Sequence, residues 1–181
     1  MEESKKQMPD GVYIITENNQ IIPFNSSFRL TEGATYIGFV QGDHSFAIAL
    51  HDVSWDEITL TTKESKRDHG GYKDRYVDAV LDWDGKENTE RIKQIWLNPA
   101  IKMKDGEYIP TLAELYLICL NQKTINAAMR FVGGQELIGW YWSSTECSTD
   151  YAWSLGLNYG LTNNGPEDED MSKVRLVKQF I

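Results

Sequence analysis

Two cysteines, three histidines and one dense run of acids are the residues of this chain best suited to chemistry, and their spacing limits what they can do. Cys119 and Cys147 allow at most one disulfide and offer no closely spaced thiols for zinc. Cys119 follows Leu115 by one helical turn on an apolar face, which predicts a small buried hydrophobe. Cys147 lies in a polar loop with no histidine near it in sequence, so no base is at hand to make it a nucleophile. His44, His51 and His69 fall in turns and loops without partner spacing and are expected at the surface. Glu167-Asp-Glu-Asp170 could give oxygens to calcium, but it lacks the ligand, glycine and glutamate spacing of a dedicated loop. It reads as a solvated acidic turn. No metal, cofactor or catalytic residue is expected.

Aromatic residues are the more informative set. Six Trp and nine Tyr in 181 residues demand either a thick aromatic core or a contact surface, because both side chains bring large, rigid, amphipathic area. The rest of the composition, 41% hydrophobic and 25% charged, fits a globular domain rather than a disordered or fibrous chain. With 27 acidic against 18 basic residues the formal net charge is −9, which disfavours a grip on a phosphate backbone, so nucleic acid is not an expected partner. No apolar run is long enough for a membrane span, and no membrane insertion is expected. The opening Met-Glu-Glu-Ser-Lys-Lys-Gln is too polar for the core of a signal peptide. As written, the sequence favours a cytoplasmically made or virion-associated product over a secreted one.

The elements that must position these residues follow from pattern. Gly11–Thr16 and Gln20–Phe24 read as a hairpin turning at Asn18-Asn19, and Ala34–Val40 with Ser45–Leu50 as a second one turning at Gly42. Thr61–Arg75 shows neither helical nor strand period and reads as an exposed loop. Asn88 or Thr89 is expected to cap a helix carrying Ile92, Ile95 and Trp96 and ending before Pro99. Thr111 and Glu114 have capping-box spacing at the head of a helix through Cys119. Lys123–Val132 continues as helix, with Gly133 suited to the left-handed position that ends it. Gly139–Thr145, Tyr151–Leu157 and Val174–Phe180 read as strands, with a polar, acidic loop over Thr162–Asp170. Strands, then helices, then strands is the order of an α+β fold.

Four segments carry a resemblance: Asp84-Gly-Lys-Glu-Asn-Thr89, Tyr108-Ile-Pro-Thr-Leu-Ala-Glu-Leu115, Tyr141-Trp-Ser-Ser-Thr-Glu146 with Ala152-Trp153 behind it, and Val174-Arg-Leu-Val177. In this order they resemble a bacterial and phage domain of unknown function, also found at the C-terminus of a collagen-like Legionella adhesin. That domain has a C-type-lectin-like fold, of the branch shared with formylglycine-generating, sulfatase-modifying proteins. The resemblance spans roughly residues 78–181 and, more loosely, the strands around Gly38 to Asp52. It implies a β-rich N-terminal portion over residues 1–60, either integral to the main domain or serving assembly. Residues 61–181 would be the lectin-like domain, with a variable-type surface over residues 139–181. The Glu-Pro-Asn, Gln-Pro-Asp and Trp-Asn-Asp motifs through which lectins of this fold hold calcium and sugar are absent from the sequence. The sulfatase-modifying relatives use a reactive cysteine pair, from which Cys119 and Cys147 depart.

Some domains of this family are targets of diversity-generating retroelements in phages and gut bacteria. The segment from Cys147 to Asn164 has the mixture of Asn, Tyr, Ser, Asp, Cys, Gly and Leu expected of such mutated codons, and ordinary loop composition accounts for the same letters. Trp142, Trp153, Leu155, Leu157, Val174 and Leu176 are expected in the core, Tyr141 is ambiguous, and Ser154 and Asn158 are expected exposed on one face. The expected ligand-binding set is Cys147, Ser148, Asp150, Tyr151, Ser154, Asn158, Tyr159, Leu161, Asn163 and Asn164. The function expected is recognition of a cell-surface protein or glycan, with an assembly subunit of a virion or appendage as the alternative. A sulfatase-modifying-type enzyme is the third reading.

Overall fold

Asn19 and Gly42 turn the chain twice near its N-terminus, with φ of 59° and 58°. In the computed structural model, which describes residues 8–25, 33–63 and 68–181, these turns join two hairpins. Their strands are β1 (Gly11–Thr16), β2 (Ile21–Pro23), β3 (Ala34–Gln41) and β4 (His44–Ala49). The sheet they begin is completed from far along the sequence. β9 (Val177–Gln179) pairs antiparallel with β4 from Phe46↔Gln179 to Ile48↔Val177, and β5 (Glu107–Tyr108) pairs with β9. The order is β2-β1-β3-β4-β9-β5. A second antiparallel sheet holds β6 (Trp140–Glu146), β7 (Tyr151–Gly156) and β8 (Leu161–Pro166), in that order.

Between the sheets in sequence come α1 (Tyr76–Ala79), α2 (Gly85–Gln94), α3 (Leu112–Leu120) and α4 (Gln122–Val132). The architecture is α+β. Both halves of the capping box at α3 form: Glu114 N–H donates to Thr111 Oγ1 at 3.1 Å and Thr111 N–H to Glu114 Oε2 at 2.9 Å. Gly133 ends α4 in the left-handed conformation, φ 75°. α2 departs from expectation by starting at Gly85, so Asn88 and Thr89 lie inside it. Their side chains serve tertiary contacts instead of a cap: Asn88 Nδ2 donates to Asp82 Oδ2 at 2.7 Å, and Thr89 Oγ1 accepts from Ile109 N–H at 3.0 Å. The helix ends at Gln94, leaving Trp96 exposed. Of the loop expected over residues 61–75, residues 64–67 lie outside the described ones.

The core is divided by the second sheet. Tyr141, Trp153, Leu155 and Leu157 face a cluster built from β1, β3, β4, α3 and α4, which includes Ile14, Ile37, Phe46, Leu112, Leu115 and Met129. Trp142 and Ala152 face the opposite way, into a cluster with Leu60, Ile92, Ile109, Val174 and Leu176. Both faces of β6 and β7 are therefore covered, and the six residues expected in the core are all buried. One expectation fails on the same ground. Ser154 is only 5% exposed, because it sits opposite Trp142 on the face that packs into the second cluster. The period of two along β7 is right, but "outward" on a sheet buried on both sides is still interior.

A charge pair locks the sheets together. The side chains of Arg175 and Asp52 are both fully buried, and Arg175 Nε donates to Asp52 Oδ1 at 2.7 Å. The guanidinium also donates to the carbonyls of Ala49 at 2.9 Å and Gln135 at 3.0 Å. Asp52 Oδ2 accepts from Gln135 Nε2 at 2.8 Å and Tyr141 Oη at 3.3 Å. Removing one partner of such a pair leaves an uncompensated buried charge. Arg175→Met should therefore lower the unfolding free energy by about 3–5 kcal/mol. Adding Asp52→Leu to it should recover part of that loss, as read by urea denaturation followed through tryptophan fluorescence.

Candidate functional site

The segments from Asp84 to Thr89, Tyr108 to Leu115, Tyr141 to Glu146 and Val174 to Val177 meet inside the molecule. Asp82, buried just ahead of the first, accepts from Asn88 Nδ2 and, at 2.8 Å, from Thr145 Oγ1. Thr145 Oγ1 in turn accepts from Leu112 N–H at 3.0 Å, and Tyr108 Oη donates to Glu114 Oε1 at 2.7 Å. Ser143 Oγ donates to the carbonyl of Trp153 at 2.7 Å. Each of these side chains satisfies a buried backbone or polar group. They build the scaffold and are all buried. Burial above all pushes the Glu114 carboxyl up to about 7.

The expected contact residues spread along the whole of β7, whose two ends stand roughly 17–20 Å apart at a strand rise of about 3.3 Å per residue, with Ser154 in its middle. At one end the β6–β7 turn carries Cys147, Ser148 and Asp150, all half-buried, with Tyr151 exposed. At the other end Tyr159 is 76% and Leu161 60% exposed, and Asn158 is exposed too, while the exposed Asn163 and Asn164 lie further along β8, opposite Ser154 and Trp153 in the middle of β7. Asn158 has a structural duty as well, because its Oδ1 accepts the Gly139 N–H at 2.7 Å. Gly160, at φ 65°, packs against α3, where Cys119 Sγ donates to the Leu157 carbonyl at 3.3 Å. Cys119 is thus half-buried and hydrogen-bonded rather than a plain core hydrophobe. β8 itself replaces the first half of the expected acidic loop. Its letters, Leu-Thr-Asn-Asn-Gly-Pro, are poor strand formers, and pairing along all of β7 overrides them.

Three residues converge beneath the β6–β7 turn, two of which, Glu167 and His69, the sequence places in solvent. Glu167 is 1% exposed instead of solvated, because its N–H donates to the Asp150 carbonyl and its carbonyl accepts from Thr61 N–H, both at 2.9 Å. Glu146, at the end of β6, is 4% exposed, and its carbonyl accepts from Lys73 N–H at 2.8 Å. His69 leaves the surface to lie 3.2 Å from Glu146 Oε1 through Nε2. His44 likewise is half-buried, stacked on Trp83 at 3.5 Å, whereas His51 is exposed as expected. Nothing in the sequence marks the pairing of Glu146 with Glu167. Only the strand register brings them together.

Electrostatics at this end disfavour thiol chemistry. Burial, reinforced by the charges of Glu167, Glu146 and Asp74, pushes the Cys147 thiol up to about 11. Burial raises Cys119 as well, and both cysteines are free. Among the described residues no group of three His, Cys, Asp or Glu side chains is arranged to hold a metal ion. Likewise, no helix among them is long and apolar enough to cross a membrane. A cleft of about 410 Å³ between β4 and the start of α2 is lined by His44, Trp83, Lys86, Tyr108 and Glu114. Two of its polar contacts stay within the protein: Lys86 Nζ donates to Gln179 Oε1 at 2.8 Å, and Tyr108 to Glu114. No protein-family model matches the chain, and no curated protein matches it significantly.

Because only the thiolate reacts with alkylating agents, a thiol raised from 9.0 to about 11 should be sluggish. Iodoacetamide at pH 8 should modify Cys147 on the order of 100-fold more slowly in the folded protein than in urea, as resolved by peptide mass spectrometry.

Proposed function

We propose that the chain is a non-catalytic binding protein on a C-type-lectin-like scaffold, recognising a protein or glycan on a cell surface through the rim formed by the β7–β8 turn and strand β8. One observation carries this: Tyr159, Leu161, Asn163 and Asn164 stand exposed on a hairpin whose inward residues, Trp153, Leu155 and Leu157, hold it in the core. Such a division lets the outer side chains change while the strand stays in place. Exposed tyrosine among small amides is the composition of adaptable contact surfaces. Diversification of these codons by a retroelement is the finer form of the proposal, with Tyr151 and its turn as a second contact patch.

An assembly subunit is the alternative, and β8 favours it to one degree, since it is an outer strand with a free far edge among the described residues. Light scattering that gives a stable oligomer at micromolar concentration, abolished by changes on β8, would select that reading. The sulfatase-modifying reading has two protonated thiols against it.

Tyr151→Ala combined with Tyr159→Ala tests the proposal. Exposed substitutions of this kind cost about 0.5 kcal/mol or less in stability, whereas truncating an aromatic anchor costs on the order of 2 kcal/mol in binding. The double variant should melt within about 2 °C of the native protein. It should lose at least roughly 30-fold in affinity, the loss expected of a single anchor, for the cells or glycans that the native protein selects from a cell panel and a glycan array. Normal melting with full binding would move the surface elsewhere on the molecule.

A further inference from the structure

We propose that the β6–β7 turn is latched onto the end of β8 by a proton held between the carboxyl groups of Glu146 and Glu167, so that the turn is seated in acid and loosens in alkali. The inference concerns the turn itself and holds whatever the surface binds.

Glu167 supplies the observation. It is 1% exposed, and among the described residues no N–H or O–H donates to either carboxyl oxygen. The strand register brings the Glu146 carboxyl to it, since Glu146 pairs with Ala152 and Ala152 with Gly165, two residues before Glu167, and each carboxyl acts on the other. Two carboxylates repel, and a buried bare anion without a donor is costly, so the contact is favourable only when one of them carries a proton. Buried Asp150 Oδ1 also lacks a donor, which adds a third acceptor and no proton source. One tautomer of His69 fits the same arrangement. Its Nδ1 lies 3.1 Å from the Gly70 carbonyl, and burial first of all lowers its affinity for a second proton. A neutral ring that donates from Nδ1 has only an acceptor left at Nε2. The 3.2 Å contact from Nε2 to Glu146 Oε1 is then a hydrogen bond only if Glu146 is protonated and donates.

The charged and titratable groups around the pair come from every packed element. His69 lies on the loop before α1, Arg91 on α2, Cys147 and Asp150 on the β6–β7 turn, Asp168 beyond β8, and Asp74 acts on Cys147 from the same loop as His69. Arg91 is the one cation among them, and it acts on Glu146 while its guanidinium bonds to Glu87 and Asn88. Burial leads the shift of both carboxyls, from 4.5 to about 7 at Glu146 and about 9 at Glu167. The folded chain therefore holds these protons more tightly than the unfolded one. Stability from the latch is complete below pH 4.5, and it declines as pH rises, being lost through the range from about 7 to about 9. What loosens is the set of bonds hung on the pair: Glu167 N–H to the Asp150 carbonyl, and Cys147 N–H to the Tyr151 carbonyl at 2.8 Å.

Thermal melts of the native protein and of Glu167→Gln at pH 5.0 and 8.5 test this, together with amide exchange of the native protein across the same range. Gln keeps the shape and carries its own donor, so it should melt several degrees above native at pH 8.5 and near it or below at pH 5.0. Protection of the Cys147 and Glu167 amides in the native protein, corrected for intrinsic rate, should fall tenfold or more between pH 6 and 9. If the variant does not fold, the exchange series decides alone. A melting difference and protection factors that do not change with pH overturn the proposal. So does a calcium-dependent rise in the native melt at pH 8.5 that Glu167→Gln lacks, since that would assign the carboxyls to a cation.

Discussion

Arg175 brings a guanidinium into the interior where no water can solvate it, and the groups that satisfy it come from three distant stretches of chain. Asp52 and the Ala49 carbonyl arrive from β4 and its exit, and the Gln135 carbonyl from the segment after α4. Tyr141 on β6 closes the set by donating to Asp52. A buried charge tolerates no partial solution, so these stretches must sit together for any of them to be stable. That constraint sets β9 beside β4 and fixes β6 over the same point. The second sheet inherits its position from it, and with that sheet come the candidate contact residues.

Scaffold and surface are consequently made from different residue types. Asp82, Asn88, Thr89, Thr111, Glu114, Ser143 and Thr145 are polar, yet every one is buried and engaged with a neighbouring strand or helix. The side chains left facing water on the C-terminal hairpins are tyrosine, leucine and asparagine, which contribute little to the core. Trp140 shows how close the packing comes on the way out: a Cβ on Gly156 would meet its ring at 3.1 Å, so a larger residue there would require the ring to shift by a few tenths of an ångström. Beyond Gly156 the chain turns through Asn158, Tyr159 and Gly160, and the constraints fall away.

What was legible in the sequence was whatever depended on local chemistry. The Thr111–Glu114 box, the Gly133 terminator and the inward set Trp153, Leu155 and Leu157 follow from side chains acting on their own element. What was not legible depended on partners distant in sequence. Ser154 reads as a solvent-facing position until the residues around Leu60 and Val174 cover its face. Asn88 and Thr89 read as caps until Asp82 and Ile109 claim their side chains. β8 has no strand signal of its own and exists because β7 offers it a full edge. Glu167 sits in an acidic run that pattern assigns to water, and it is buried because its backbone is tied to Asp150 and Thr61.

Native-state amide exchange measures the division between locked scaffold and free rim most directly. The amides of Ala49, Val53 and Gln135 donate to the Leu176, Val174 and Leu50 carbonyls around the ion pair. They are predicted to exchange only through global unfolding, with a free energy matching that from denaturant titration. The amides of Tyr159 and Gly160, in the turn before β8, are predicted to exchange orders of magnitude faster through local opening. Exchange around Asp52 and Arg175 as fast as that of the rim would contradict the account.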